Sequence, residues 1–370
     1  MAAALAGSVL NQPAKRLVSL DAFRGLTIAS MLLVNNPGSW SSVYKQLEHA
    51  EWNGWTFTDL VFPSFLWIVG VSITFSFAKR MEEGAGRGLL FLHTLRRAAL
   101  IFVVGFLIAY LPRLDLAHVR IPGVLPRIAV CSLLASAIFL THKLRGIIAW
   151  TVGLMAVYWG LMILYPVPGH GAGVLTKEGN FSAWIDSLVL AGHMWSQTKT
   201  WDPEGIVSTL PAVSTTLFGV LCGMLLRTEK TQAEKTAWMF TIGAGLTVVG
   251  AVMNIWLPIN KSLWTSSYAV TMAGIAYTAF AFFYWIVDVQ GYKSWAKPFV
   301  IYGSNAIAIY VVSDIVAIAM ARMRWHAPVY ATFQAAAPPY IASVLFALAH
   351  VAALGLFAWF LYSRRWFVRL

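Results

Sequence analysis

Three residues of this chain have the types and spacing for proton transfer. His49 lies in the stretch "LEHAEWNGWTFTDLVFPSFLWIVG", which begins as a polar, Trp-rich loop and ends as an apolar run. It stands 14 residues after Asn35 and ten before Asp59. A neutral imidazole oriented by a carboxylate or an amide is the usual general base near neutral pH. Bland readings stand beside this one. A loop histidine is often incidental. Asn35 and Asn36, followed by Pro37-Gly38, can simply end a helix. Asp59 can serve a helix N-terminus by its charge alone.

Other polar residues could hold ligands. Trp52 and Asn53 form a Trp-Asn-Gly turn beside His49, and Asp202 and Glu204 sit in "WDPEG". Carboxylates beside a tryptophan can hold a sugar by hydrogen bonds and ring stacking, or can cap the helix that follows. Asn260, Lys261 and Trp264 in "NKSLWTSSY" read as a turn or as the rim of a cavity. Arg24, Arg96 and Arg97 carry guanidinium groups, which suit phosphate. Arg24 is also three residues from Asp21, so the two can neutralise each other on one helical face. Asn305, Asp314 and His350 read as partners in inter-helix hydrogen bonds. No metal-ligand spacing, Walker-type glycine loop or Gly-x-Ser-x-Gly elbow is present.

The elements that must position these residues are membrane helices. The chain has 370 residues, 59% hydrophobic and 11% charged, against roughly a quarter charged in soluble domains. This predicts an all-α, polytopic membrane protein. A hydrocarbon core needs about 20 apolar residues per helix. Ten spans meet that need: 17–36, 57–78, 91–111, 123–141, 146–166, 206–226, 236–257, 266–288, 299–320 and 340–362. The first is the weakest, because Asp21 and Arg24 sit near its start. Pro63 is expected to kink the second. The first twelve residues do not resemble a cleaved signal peptide. Residues 1–370 are expected to form one transmembrane domain, with a short mobile N-terminus over 1–14 and a long extracytoplasmic loop over 167–205. Cys131 and Cys222 lie in apolar spans and read as packing residues.

The net charge of +12 follows topology rather than nucleic-acid binding. With both termini cytoplasmic, 18 of the 27 Lys and Arg residues fall inside, as the positive-inside rule expects. His49 then faces outside.

Together these segments resemble one family. "RLVSLDAFRGLTIASMLLVNN", "HAEWNGWTFTDLVFPSFLWIVGVS", "GVLPRIAV", "WDPEGIVSTLPA", "NKSLWTSSY", "YGSNAIAIY" and "FLYSRRWFVRL" are similar, in order, to the heparan-α-glucosaminide N-acetyltransferases, transmembrane acyltransferases with bacterial members. The resemblance implies transfer of acetyl from cytosolic acetyl-CoA to a glucosamine amine on the far side. It implies His49 as the active-site histidine with Asn35 beside it, and a bacterial inner (plasma) membrane as the location. "SLDAFRG" also resembles the wider transmembrane acyltransferases, which have a histidine eleven positions after the arginine. Here that position, counted from Arg24, is Asn35, so the weight moves to His49. Pro126 stands where the family often has Gln.

The expected partners are acetyl-CoA, a small amino sugar or saccharide, and membrane lipids, with no nucleic acid and no metal; a homodimer is one expected assembly. CoA phosphates would meet Arg24, Arg96 and Arg97. The acceptor would meet Trp52, Asn53, Asp202, Glu204, Asn260, Lys261 and Trp264. Two competing functions stand beside this one: O-acetylation of a surface or cell-wall saccharide at the same site, and amino-sugar transport without chemistry, in which midplane polar residues bind the substrate. The absence of an inverted repeat counts against transport. The acceptor and the choice between a ternary complex and an acetyl-histidine stay open.

Overall fold

The computed structural model describes residues 17–368; the N-terminal segment expected over 1–14 lies outside them. Among the described residues the extended regular elements are all helices, joined by turns and loops that hold two isolated backbone bridges. In order the helices are α1 Val18–Asn35, α2 Phe57–Glu82, α3 Arg87–Tyr110, α4 Val124–Thr141, α5 Leu144–Leu164, α6 Phe181–Val189, α7 Thr209–Leu226, α8 Gln232–Met253, α9 Ser266–Phe283, α10 Lys297–Ser304, α11 Ala306–Arg322, α12 His326–Gln334 and α13 Pro339–Ser363. A π-helical turn, Tyr284–Val289, extends α9. Nine of the described helices are long and apolar enough to cross a membrane, ten if the bent pair α10–α11 makes one span.

That pair corrects the ninth expected span. Residues 299–320 do not form one straight helix; the axis turns by 78°. Asn305 stands at the break. Its Nδ2 donates to Trp366 O (3.1 Å) and its Oδ1 accepts from Val368 N (2.8 Å), so the side chain is committed to the C-terminal tail. Two short helices, α6 and α12, occupy stretches read as connections. α2 continues through Pro63 as one helix.

The chain divides into two compact units. The first comprises Trp52–Gly54 and Leu66–Ala281. Its packing depends on residues without side chains. A Cβ on Gly70 would press into Thr216 O, one on Gly219 into Trp67 O, and one on Gly223 into Thr74 Oγ1. Gly219 and Gly223 lie four apart on α7 and Gly70 lies on α2, so the two backbones close together at these positions. Trp67, fully buried, packs beside this seam against Tyr277 and Phe280 at ring centroid distances of 5.2 and 5.4 Å. Within this unit most residues of α7 are buried and few of α3 are. The exposed side of α3 carries Leu92, Leu100, Val103 and Leu107, which suits a helix whose solvent is lipid. Cys131 and Cys222 are buried and free, as packing residues.

The second unit comprises Leu17–Glu51, Trp55–Phe65 and Phe282 onward. α1 packs on α10 by the same device. Gly25 meets Phe299 O, and Gly303 meets Asp21 O. The open N–H groups at the start of α1 are satisfied from afar: Asp288 accepts from Val18 N (3.2 Å), Ser19 N (3.1 Å) and Ser19 Oγ (2.5 Å). This supplies the cap that Leu17 cannot.

Gly219→Val should lower the thermal midpoint of the purified protein, since overpacking a close backbone contact costs about 1–3 kcal/mol. Gly153→Ala, in the interior of α5 and with a Cβ that would meet nothing within 4 Å, should hold or slightly raise it, since Ala is the better helix former. A scanning melt in detergent compares them.

Candidate active site

Asp59 is the third residue of α2. Its carboxylate turns back over the helix start, where Oδ2 accepts from Thr56 N (3.0 Å) and from Ala50 N (3.0 Å). Thr56 Oγ1 lies 3.2 Å from the same oxygen and donates to Glu48 O (2.5 Å). The loop is thus folded onto the first turn of α2, and Asp59 is almost fully buried. Negative charge is favoured there by the helix dipole.

The other oxygen, Oδ1, lies 2.6 Å from His49 Nδ1. A carboxylate that already takes two backbone N–H groups is an acceptor. The imidazole proton therefore sits on Nδ1, and Nε2 carries the lone pair. The His49 side chain is 50% exposed, whereas that of Asp59 is closed off. A fixed carboxylate orients an accessible imidazole as a proton acceptor. Asn35 belongs to the same unit, as the exposed last residue of α1.

The remaining expected residues are distributed over both units. Arg24 pairs with Asp21 (3.1 Å) and also donates to Gly303 O (3.3 Å). It lies in the second unit, while Arg96 and Arg97 are exposed on α3 in the first.

Trp52 and Asn53 are fastened within the first unit. Trp52 Nε1 donates to Leu175 O (2.9 Å), and the ring packs edge-on to Trp201 at 5.3 Å. Lys177 Nζ lies 5.9 Å from its centroid. Gly54, at φ +97°, donates to Ile259 O (2.7 Å), a conformation that favours glycine. Asn260 Nδ2 donates to Asn53 Oδ1 (3.3 Å), and Asn260 Oδ1 accepts from Leu263 N (2.9 Å).

Asp202 and Glu204, expected to meet the acceptor, are placed in an internal ion-pair cluster. Asp202 accepts from Arg120 Nε (2.8 Å), Arg120 Nη2 (2.6 Å), Trp195 N (2.8 Å) and Glu204 N (2.9 Å). Glu204 takes Arg120 Nη2 (2.5 Å) and lies 3.8 Å from Lys261 Nζ. Both carboxylates are buried and serve an internal ion-pair cluster. Burial works against ionisation of Glu204, but Lys261 and Arg120 outweigh it and hold its pKa low. Trp264 also departs from the rim. It is fully buried in the left-handed region, with Nε1 donating to Thr215 Oγ1 (3.1 Å) and Arg127 stacked over its ring at 5.2 Å.

Sequence reasoning missed three members of this cluster. Arg120 supplies its central cation. Arg127 is buried and donates to Pro203 O (3.0 Å), Gly205 O (2.9 Å) and Ser208 Oγ (2.5 Å). Asp186, on α6, accepts from Asp202 N (3.2 Å) and Ile206 N (2.9 Å) and so holds the turn before α7. The available signal was charge in a poorly charged chain, but nothing in the spacing paired residues some 80 positions apart. Among the described residues, no group of three or more His, Cys, Asp or Glu is placed to hold a metal.

Comparison with known proteins gives a consistent result. Residues 16–257 match the family model described as heparan-alpha-glucosaminide N-acetyltransferase, catalytic. The chain is 30% identical over 355 residues to heparan-alpha-glucosaminide N-acetyltransferase of Homo sapiens, covering 81% of this chain and 53% of that protein. The Mus musculus protein of the same name is 30% identical over 357 residues, covering 82% and 54%. The chain thus spans about half the length of these curated relatives.

Burial raises the Asp186 pKa to about 6, against the pull of its two backbone N–H bonds; unfolded aspartate titrates near 3.9. Between these values the folded state binds more protons, so stability should fall as pH rises from about 4 to about 6 and stay lower above. The rise of this pKa on folding corresponds to roughly 3 kcal/mol. Thermal melts of wild type and Asp186→Asn across this window should show a difference that changes with pH only there.

Proposed function

The chain belongs to the heparan-alpha-glucosaminide N-acetyltransferase family, and on that premise we propose that it acetylates the amine of a glucosamine-type sugar, using acetyl-CoA. The observation that carries this reading is the exposed imidazole of His49, oriented by the buried carboxylate of Asp59.

The acceptor amine attacks the thioester carbonyl as His49 Nε2 takes a proton from it. The C–N bond forms, the C–S bond breaks, and the imidazolium returns its proton to the departing CoA thiolate. The products are the N-acetyl sugar and CoA thiol. Asp59 keeps the imidazole in the required tautomer and stabilises its charged form. Asn35 supplies an amide N–H for the oxyanion of the tetrahedral intermediate. Trp52 and Asn53, three and four residues after His49, contact the sugar. Guanidinium groups suit the CoA phosphates through charge-assisted hydrogen bonds, and Arg24 in the second unit and Arg96 and Arg97 in the first are each candidates for that role. Asn260, Lys261, Asp202, Glu204 and Trp264 support this arrangement indirectly, by fixing the loops that hold Trp52 and Asn53.

The protein is an integral membrane protein, and the bias of Lys and Arg supports cytoplasmic termini with His49 on the opposite face. Acetyl-CoA is made in the cytoplasm, so the acetyl group crosses the bilayer during the reaction. The membrane is a bacterial inner membrane in this reading.

The test is mass spectrometry of an amino-sugar panel incubated with the purified protein and acetyl-CoA. N-acetylglucosamine is the expected product. Acetylation confined to hydroxyl groups, or no acetyl transfer to any sugar, would contradict the proposal. In the same assay His49→Gln should lose about 10²–10⁴-fold in turnover, the range for a lost general base. Glutamine keeps hydrogen bonding but not proton chemistry, so a fully active His49→Gln protein rules out the base.

A further inference from the structure

His350 lies in the middle of α13, where an ionisable side chain is costly and calls for a reason. Its Nε2 is 2.9 Å from Ser313 Oγ on α11, and Ser313 is buried. The same hydroxyl receives Asn36 Nδ2 at 3.3 Å. Asn36 is the C-terminal cap residue of α1, and its amide also donates to Leu32 O (2.9 Å). The directions follow from the inventory of donors. The amide N–H points into Ser313 Oγ, so the serine proton is available to His350 Nε2, which accepts. Asn36, Ser313 and His350 form one directed chain within the second unit.

The segment after Asn36 is held by the same helix. Gly38 N donates to Ser343 O (3.2 Å), and Ser39 N donates to Ser343 Oγ (3.1 Å). Ser343 precedes His350 by seven residues, so both project from one face of α13 about two turns apart. Gly38 is closed in by the ring of Tyr330 and by Phe346, and a Cβ there would collide with the Tyr330 ring. The corner Asn36–Ser39 is therefore fixed at its start, middle and end. Asn35 immediately precedes it, and the loop carrying His49 leaves from it.

We infer that Ser313 and His350 are positioning residues for the proposed acetyl transfer, acting through Asn36 to fix the corner that sets Asn35 and the start of the His49 loop. The inference rests on the base reading of His49. Neither side chain needs to touch substrate. A loosened corner would let the reacting groups drift, and misplacement of about 1 Å can cost ~10²-fold in rate.

The test is a set of turnover measurements on full-length protein with acetyl-CoA and glucosamine, in wild-type and His49→Gln backgrounds. Ser313→Ala and His350→Ala should each lower kcat by ~10- to ~10²-fold, with KM for acetyl-CoA unchanged. Ser313→Thr, which keeps the hydroxyl, should restore most of the rate. In the His49→Gln background the same changes should cost clearly less than in wild type, because the part of the loss that runs through His49 is already gone and groups acting as a unit are not additive. A purely structural role would give equal losses in both backgrounds, and that result overturns the inference. So does wild-type kcat in Ser313→Ala beside an inactive His49→Gln protein. A fully active His49→Gln protein overturns instead the base reading on which the inference rests.

Discussion

The 2.6 Å contact between His49 Nδ1 and Asp59 Oδ1 is the constraint on which the chemistry depends. A half-exposed loop histidine has no reason by itself to keep one rotamer or one tautomer. Asp59 supplies both, and it can do so because its own position is over-determined. The first turn of α2 places it, the N–H groups of Ala50 and Thr56 hold its second oxygen, and burial removes competing water. The carboxylate is also the anchor that closes the loop from His49 to Thr56. The same group thus organises the backbone and tunes the imidazole.

The rest of the structure keeps such polar groups fixed in a chain that is mostly apolar. Lipid offers helices no hydrophobic drive to associate, so close packing and polar pairs must do it. The glycine seams of α2–α7 and α1–α10 bring backbones together. Polar side chains then bridge what remains: Asp288 at the start of α1, Asn305 at the α10–α11 break, and the Arg120 cluster around Asp202 and Glu204. Removing one partner of such a cluster leaves an uncompensated buried charge, which is costlier than never having had the pair.

Much of the fold was legible because membrane thickness imposes a length on every span. Nine of the ten expected spans are single helices, and the first formed despite Asp21 and Arg24 because those two residues pair. The ninth was misread because the break at Asn305 rests on hydrogen bonds to residues some 60 positions away, which hydropathy cannot register. α6 and α12 are too short to stand out. At the candidate site, the short spacing between His49 and Asp59 made their juxtaposition readable. Asp202 and Glu204 were legible as unusual residues but not as Arg120 partners, since the pairing crosses about 80 residues. Trp264 reads like a rim residue by its polar neighbours, yet Thr215 and Arg127 draw it into the core.

Turnover of an Asp59→Asn protein, measured beside acetyl-CoA binding to the same preparation, tests the dyad most directly. The amide is nearly isosteric but cannot accept at both positions, so it disturbs the tautomer with little change in shape. Turnover should fall by about 10²–10⁴-fold while acetyl-CoA binding is retained. Wild-type turnover in Asp59→Asn would contradict an oriented imidazole base at His49.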